Sequence, residues 1–317
     1  MQKLAHSIRG VHLHGGFGLV LLVLCISVPL ANGQNFSSWS AAVNVGSPIN
    51  MSSGDGCPFI AKNNVDLYFR SNRPGGYGGF DIYVSHRNSV DDPWETPINL
   101  GPEVNTSAGE LCSFVTNDGH WLYFVSNRTD LPGCGGQDLW VSRRKDKRDD
   151  HGWATPKNLG CFVNSAGDET GPSLFEDEAT GQSVLYFNSP RSGGQDIWAS
   201  KMAGDDKDTF LPPSPVVELN TTFIEVQPFV RRKDGLEILF VSNRTGGSGF
   251  DLWASTRHDT FAPWSPPVNL GPLVNSASGE YRPSISWDGT TLYFWSDRPG
   301  GQGSMDVYMA TRTKLPD

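Results

Sequence analysis

An all-β fold is predicted by three features of the 317-residue sequence. A phrase of the form [LI]-[YL]-F-x-S-x-R, followed by a Gly-rich loop and D-[ILV]-[WY], occurs five times, and its serines recur at intervals of 53 to 63 residues. Asp-Gly turns precede several copies, and an element of the form W-x-x-P-x-N-L-G runs between copies. Self-similarity at a nearly constant period marks a repeat architecture. Five units of four short strands predict a five-bladed β-propeller of four-stranded antiparallel blades.

The last copy shows the elements of one blade in order. Pro283–Trp287 alternates as a first strand, Asp288-Gly289 is a turn that β-hairpins favour, and Thr291–Ser296 is a second strand. A Gly-rich loop then leads to a third strand over Met305–Ala310. The fourth strands are Trp94–Gly101, Trp153–Gly160, Pro213–Leu219, Trp264–Gly271 and, before the first copy, Trp39–Gly46.

The order of these elements predicts how the ring closes. The repeats begin with a fourth strand and end after a third strand, at Arg312. Trp39–Val45 should therefore complete the blade built from Arg282–Arg312, so that the N-terminal strand joins the last blade and leaves no open edge. A linear β-solenoid is the alternative, and the complementary ends argue against it.

The first 33 residues are predicted to be a secretory signal peptide, and residues 34–317 a single propeller domain. Phe17–Leu30 is an apolar run too short to span a bilayer, and Ala31 and Gly33 are the small residues of a cleavage site. We therefore expect a secreted or periplasmic protein without membrane insertion after cleavage. The leader holds Lys3, Arg9 and no acid, so the mature chain has 23 basic and 34 acidic residues, a formal charge of −11. Such a charge disfavours nucleic acid as a partner.

Four cysteines remain after the leader: Cys57, Cys112, Cys134 and Cys161. In an oxidising compartment they could form two disulfides in three connectivities, which the sequence leaves open. A chain of this length buries an adequate core without them, so any bridge should be auxiliary.

Three polar positions recur on the loops that join fourth to first strands and second to third strands. Both connections emerge on one face of the ring, which we call the upper face. An acid opens each first strand (Asp55, Glu110, Glu169, Glu225, Glu280), an arginine follows each second strand (Arg73, Arg128, Arg191, Arg244, Arg298) and an aspartate opens each third strand (Asp81, Asp138, Asp196, Asp251, Asp306). Arginine has five donors and can satisfy both neighbours, so we predict a carboxylate–guanidinium–carboxylate row on every blade.

The first-strand acids could instead form an acidic ring at the mouth of a central tunnel. Such a ring could hold Ca²⁺ or a cationic ligand, and no other cofactor is expected. Two residues after each acid, on the same strand face, stand Cys57, Cys112, Gly171, Gln227 and Arg282. Because the copies differ there, the predicted ligand-binding residues are Asp55, Glu110, Glu169, Glu225, Glu280, Gln227 and Arg282. No catalytic residue is assigned.

These repeats resemble a known family. The segment S-N-R-T-G-G at 242–247, followed by D-L-W at 251–253 and preceded by an acid, a proline and an Asp-Gly turn, is similar to the WD40-like repeat of TolB-type periplasmic proteins. The resemblance covers nearly all of Trp39–Arg312. It implies a β-propeller, and such propellers serve as docking platforms, gating domains and occasional enzymes.

Two functions are compatible with this sequence. The first is a non-catalytic binding or scaffold protein, expected to be a monomer, whose upper face and tunnel mouth hold a protein segment or an oligosaccharide. The alternative is a glycoside hydrolase, because five-bladed propellers are similar in architecture to arabinanase-type and fructosidase-type enzymes, which use carboxylates around a central pocket. Asp55, Glu110 and Glu169 are then the candidates. An enzyme needs one carboxylate freed from its arginine and raised in pKa, whereas a scaffold needs five equivalent acids.

Overall fold

The computed structural model describes residues 36–204 and 206–316. The predicted signal peptide lies outside this range. Five four-stranded antiparallel sheets form a ring, and four of them are composed of strands that follow one another in the chain. Blade 1 consists of β2 (Asp55–Ile60), β3 (Asp66–Ser71), β4 (Asp81–His86) and β5 (Ile98–Asn99), and blade 2 of β6 (Glu110–Val115), β7 (Trp121–Ser126), β8 (Asp138–Arg143) and β9 (Lys157–Asn158).

The other three blades repeat this plan. Blade 3 consists of β10 (Thr170–Glu176), β11 (Ser183–Ser189), β12 (Asp196–Lys201) and β13 (Ser214–Pro215), and blade 4 of β14 (Glu225–Val230), β15 (Glu237–Ser242), β16 (Asp251–Thr256) and β17 (Val268–Asn269). Blade 5 consists of β18 (Glu280–Ile285), β19 (Thr291–Ser296), β20 (Asp306–Thr311) and the N-terminal β1 (Val43–Asn44). Within the described ranges there is no helix long and apolar enough to cross a membrane.

The predicted closure is confirmed by the pairing of β1 with β20. Val43 lies opposite Met309 and Asn44 opposite Tyr308. An isolated bridge between Phe36 and Lys314 extends this contact. The predicted fourth strand was longer, but each fourth strand pairs over two residues only. These strands are the outer edges of the blades, where short strands limit pairing with other chains.

A β-bulge interrupts every first strand at the same position. In all five blades the pairing register between the first and second strands shifts between the first and the fourth residue after the acid. The residue two after the acid has a positive φ in each: Cys57, Cys112, Gly171, Gln227 and Arg282. The bulge breaks the alternation of the strand, so the prediction that these residues share a face with the acids is wrong. The acids face the loops of their own blades, whereas the bulge residues face the axis.

The axis of the ring is filled rather than open below the bulges. Phe59, Phe114 and Phe229 are fully buried there. The ring of Phe59 lies 4.7 Å from that of Phe114 and 6.4 Å from that of Phe229, measured between centroids. Blades 1 and 4 are not neighbours in the ring, so the second contact crosses the axis.

Both disulfides join neighbouring segments of the ring. Cys57 pairs with Cys112 across the inner strands of blades 1 and 2, with Cα atoms 4.8 Å apart. Cys134 pairs with Cys161, which ties the Gly-rich loop of blade 2 to the start of the loop that leads into blade 3. This connectivity is one of the three that the sequence left open.

A cation–π pair at the rim of the blades was not predicted. An arginine one residue after the third strand stacks on the tryptophan of the fourth-strand element in four blades: Arg87 on Trp94, Arg144 on Trp153, Arg257 on Trp264 and Arg312 on Trp39, with centroid distances of 4.2 to 4.4 Å. In blade 3 both members change together, to Met202 and Phe210, whose backbones form an isolated β-bridge as those of Arg144 and Trp153 do. Both side chains of this apolar pair are buried.

Candidate functional site

The five first-strand acids are fully buried and are held by their own loops. Glu225 is typical. Its carboxylate accepts bonds from the amide of Thr221 at 2.7 Å, the hydroxyl of Thr221 at 2.9 Å and the hydroxyl of Ser242 at 2.8 Å. Asp55, Glu110, Glu169 and Glu280 likewise accept the amide four residues earlier. The acids therefore fix the turn that leads into each blade.

In four blades the acid also pairs with the arginine that follows the second strand. The N–O distances are 2.9 Å for Arg73 and Asp55, 3.4 Å for Arg191 and Glu169, 3.0 Å for Arg244 and Glu225, and 2.8 Å for Arg298 and Glu280. A buried carboxylate needs such a partner, because an unpaired buried charge is costly.

Blade 2 departs from this pattern. Arg128 turns away from Glu110 and forms two parallel bonds of 2.9 Å to the carboxylate of Asp130. The position of Asp130 is a glycine with φ between 90° and 101° in the other blades: Gly75, Gly193, Gly246 and Gly300. The signal for this exception in the sequence is Arg-x-Asp in place of Arg-x-Gly.

The environments of the two carboxylates in blade 2 drive their pKa values apart. Burial raises the pKa of Glu110, although the bonds from Thr106 and Ser126 oppose the shift. The paired bonds from Arg128 lower the pKa of Asp130, whose side chain is 57% exposed. Two acids with opposite shifts are the arrangement that acid–base catalysis requires.

A cavity of about 360 Å³ lies beside Asp130. It is lined by Thr106, Ser107, Ala108, Thr129 and Asp130. Thr106 donates to Glu110 from both its amide and its hydroxyl, at 2.8 Å each. One residue thus separates the buried Glu110 from the cavity, while Asp130 lines it directly.

The predicted carboxylate–guanidinium–carboxylate row is wrong in its second half. Among residues 36–204 and 206–316, no salt bridge joins an arginine of this column to the third-strand aspartate of its blade. Asp81 shows the reason, because its carboxylate accepts the amide of Tyr77 at 2.6 Å and the side-chain amide of Asn99 at 2.8 Å. The aspartates hold the Gly-rich loops instead.

The acids are also poorly arranged for the Ca²⁺ ring considered above. Their oxygens are taken by donors of their own blades, as shown for Glu225. Within the described part of the chain, no group of three or more His, Cys, Asp or Glu side chains is placed to hold a metal ion. A Ca²⁺ site needs six to eight converging oxygens, and these residues do not fit it.

Gln227 and Arg282 meet on the axis. The amide of Arg282 donates to the side-chain oxygen of Gln227 at 2.8 Å, and the amide of Gln227 donates to Asn188 at 3.0 Å. The Arg282 side chain is fully buried, so it does not line an open mouth. The two residues therefore lie together, but away from the carboxylates predicted to join them.

An aromatic cluster lies on the upper face between blades 4, 5 and 1. Tyr281 stacks on Trp295, with centroids 4.3 Å apart and planes 18° apart, and lies 5.6 Å from Phe250. The guanidinium of Arg70 lies 4.6 Å from the centroid of Phe80 and 5.3 Å from that of Trp295. We call these five residues the upper aromatic cluster. Burial lowers the pKa of Arg70 to about 10, so the side chain stays a cation at neutral pH.

A charged network on the opposite face joins blades 1 and 2. His86 bonds to Asp150 and to Asp66, at 2.8 Å each. The two carboxylates, Asp150 first, raise the pKa of His86 to about 10. Asp66 also lines a cavity of about 310 Å³ together with Lys62 and Arg144.

His86 should make stability depend on pH in the alkaline range. A histidine whose pKa rises on folding contributes stability in full below its ordinary value of 6.5 and loses it as the pH rises through about 10. Because the ring is partly exposed, we expect about 1 to 2 kcal/mol rather than the full linkage value. The free energies of unfolding of the wild type and of His86→Gln, measured with urea, should become equal as the pH rises across this window. The exposed His151, changed to Gln, is the control, and a constant gap between His86→Gln and wild type would contradict the assignment.

Comparison with known proteins supports the fold and no function. No protein-family model and no curated protein matches the chain. Among solved structures it is similar to an alpha-L-arabinofuranosidase from Lactobacillus brevis, with a TM-score of 0.57 and 15% identity over 86% of this chain and 93% of that one. An alpha-L-arabinofuranosidase from Podospora anserina in complex with cellotriose gives 0.54 and 12%, over 90% and 98%.

A TolB-type protein from Agrobacterium tumefaciens gives a TM-score of 0.48 and 14% identity, over 89% of this chain and 100% of that one. This likeness is too low to support the TolB-type interpretation. The five-bladed propeller is therefore shown, and it is a fold that this chain shares with glycoside hydrolases.

Proposed function

We propose that the protein is a carbohydrate-active propeller that hydrolyses a glycosidic bond in blade 2. Glu110 is the general acid, and Asp130 is the base or nucleophile. The observation that carries the proposal is the opposite shift of the two pKa values in blade 2, where Asp130 lines a cavity and Thr106, which bonds to Glu110, lines it too. The fold shared with the arabinofuranosidases supports it. The expectation of a non-catalytic scaffold rested on five equivalent acids, and Glu110 is not equivalent.

The chemistry assigns one step to each carboxylate. Protonated Glu110 delivers its proton to the oxygen of the leaving sugar, while ionised Asp130 acts at the anomeric carbon or activates a water beside it. Thr106 lies between Glu110 and the cavity, so the turn over residues 106–108 must open when substrate enters. Arg128 keeps Asp130 ionised through its two bonds.

Non-catalytic glycan binding is the second candidate, and one observation favours it. All five first-strand acids are fully buried, while the upper aromatic cluster offers a stacked Tyr281 and the Arg70 cation. Apolar ring faces beside a few polar groups are typical of ligand sites. Under either candidate we infer a secreted or periplasmic protein, which the two disulfides support.

Matched glutamine substitutions test the hydrolase proposal. Arabinofuranosides and xylosides with chromogenic leaving groups, and the corresponding oligosaccharides, form the substrate panel. Glu110→Gln should lower kcat/KM by about 10² to 10⁴-fold, the usual contribution of a general acid, and Asp130→Asn should have an effect of similar size. Glu225→Gln is the control, because Glu225 has equivalent amide and hydroxyl bonds but keeps its arginine.

The same panel separates the two candidates. Equal activity of Glu110→Gln and wild type would overturn the catalytic assignment. Absence of turnover, combined with oligosaccharide binding that Tyr281→Ala abolishes, would establish the binding protein instead. If the wild type neither hydrolyses nor binds any member of the panel, both carbohydrate proposals fail.

A further inference from the structure

One cross-strand pair near the upper face differs from blade to blade. It joins the residue after each first-strand acid to the residue before the second-strand serine. The pair is apolar in blades 2 and 4, and in blade 3 a threonine hydroxyl and an asparagine side chain bond to each other. In blades 5 and 1 the pairs are Tyr281 with Trp295 and Gly56 with Arg70. Three of these four residues belong to the upper aromatic cluster, so the variable pair builds this cluster.

Gly56 leaves room for the indole of Trp295 between blades 5 and 1. A Cβ atom at position 56 would lie 3.2 Å from Cγ of Trp295, closer than ordinary van der Waals contact. The indole is 9% exposed, whereas the other four members of the cluster are half-buried. The cluster therefore presents aromatic surface and one cation to solvent.

Arg70 differs from the rim arginines that stack on tryptophan. Each rim arginine also donates to a carbonyl oxygen. In the described part of the chain, the one hydrogen bond of Arg70 is a weak one, from Nη2 to the sulfur of Met305 at 3.6 Å. Its Nε is buried without a partner, whereas Nη1 is neither buried nor bonded to a described residue. Nη1 is therefore open to an acceptor from outside the chain.

The charge of Arg70 also lacks a counter-charge among residues 36–204 and 206–316. Burial is the one cause that lowers its pKa, and no carboxylate contributes to the shift. Arg73, at the end of the same strand, instead lies 2.9 Å from Asp55. Guanidinium groups form their strongest hydrogen bonds with carboxylates and also stack on aromatic rings. The cluster thus complements a ligand that joins an anionic group to a ring.

We propose that the upper aromatic cluster binds a sugar that carries a carboxylate, such as a uronic acid unit of a polysaccharide. The carboxylate would accept a bond from Nη1 of Arg70, and the sugar ring would pack on the half-buried aromatic side chains. A neutral sugar could fill the same surface but would leave the guanidinium without a counter-charge. This inference rests on the proposed carbohydrate function, and it names the class of glycan.

Binding of oligosaccharides of galacturonic or glucuronic acid and of their methyl esters, measured by calorimetry, tests the assignment. Acid and ester have the same rings and differ in charge. The wild type should bind the acid about tenfold more tightly, because charge-assisted hydrogen bonds are about twice as strong as neutral ones. Arg70→Gln should remove this preference, whereas Tyr281→Ala should abolish binding of both ligands. Arg148→Gln is the control and should keep the preference, because Arg148 is exposed and pairs with Asp146.

The outcomes separate this inference from the proposed function. Equal affinity of the wild type for acid and ester, or an Arg70→Gln variant that keeps the preference, would overturn the inference and leave carbohydrate binding intact. Binding of an aspartate-rich peptide that requires Arg70, without binding of any acidic sugar, would show that the ligand is a peptide and the sugar assignment wrong. Failure to bind or hydrolyse any sugar would overturn both proposals.

A second measurement applies if Arg70→Gln does not fold. Arg70→Lys keeps the charge and should keep a preference for the acid. The preference of the wild type should also shrink as the ionic strength rises, because salt screens exposed charges. A preference that does not change with salt would contradict recognition of the carboxylate by Arg70.

Discussion

Arg244→Leu is expected to destabilise the protein by about 3 to 5 kcal/mol, whereas Arg128→Leu should cost about 1 kcal/mol or less in ion pairing. Arg244 lies 3.0 Å from Glu225, which is fully buried, so its removal leaves a buried carboxylate without a counter-charge. Arg128 is buried, but its partner Asp130 is 57% exposed, so water can solvate that carboxylate once the arginine is removed. The two arginines occupy equivalent positions, so the comparison isolates the partner.

Urea unfolding of both variants measures this difference in stability. A double variant tests whether the unpaired buried charge causes it. Adding Glu225→Gln to Arg244→Leu removes the buried charge and should recover part of the lost stability. The packing of the guanidinium is lost in both single variants, because Arg244 lies over Phe240 and Arg128 over Trp140. Equal destabilisation by the two leucines would show that packing, and not charge, governs this column.

Phe59→Ala is the second large effect, with an expected loss of about 3 to 5 kcal/mol. Phe59 is fully buried on the axis and contacts the rings of Phe114 and Phe229 from two other blades. Since neighbours from several blades surround the ring, no single blade can collapse into the cavity that the alanine leaves. Phe261→Ala is the control, because this ring is 85% exposed and its loss should change stability by less than about 0.5 kcal/mol.

The outcome for Phe59 can be checked by denaturant unfolding with a constant m-value. A change in midpoint without a change in slope would report lost packing. A loss below that of Phe261→Ala would contradict the filled axis.

The sequence predicts the fold well because the periodic signal is local. Each copy carries its own turn residues and alternating apolar residues, and the second strand predicted over Thr291–Ser296 coincides with β19. The closure followed from the order of elements alone, and Val43 opposite Met309 confirms it. The alternation predicts a first strand over Pro283–Trp287, whereas β18 spans Glu280–Ile285 and carries a bulge between Tyr281 and Ser284; its start agrees with the prediction that an acid opens each first strand.

The site was less predictable for physical reasons. The bulge residues are not marked by glycine except at Gly171, so nothing local shows that Arg282 faces the axis while Glu280 faces its loop. The pairing of Cys57 with Cys112 depends on the same conformation. Asp130 was the accessible clue, because it alone among the five copies replaces a glycine two residues after the arginine.

Contacts across the axis change how the ring should respond to force and heat. In most repeat proteins each unit touches only its neighbours, so that units can unfold in sequence. Here Arg282 of blade 5 bonds to blades 2 and 3, and Arg232 of blade 4 bonds to the carbonyl of Ile60 in blade 1 at 2.8 Å. These side chains connect blades that are not neighbours in the ring. Unfolding any one blade would break hydrogen bonds to a blade that it does not adjoin, so the propeller should unfold as one cooperative unit.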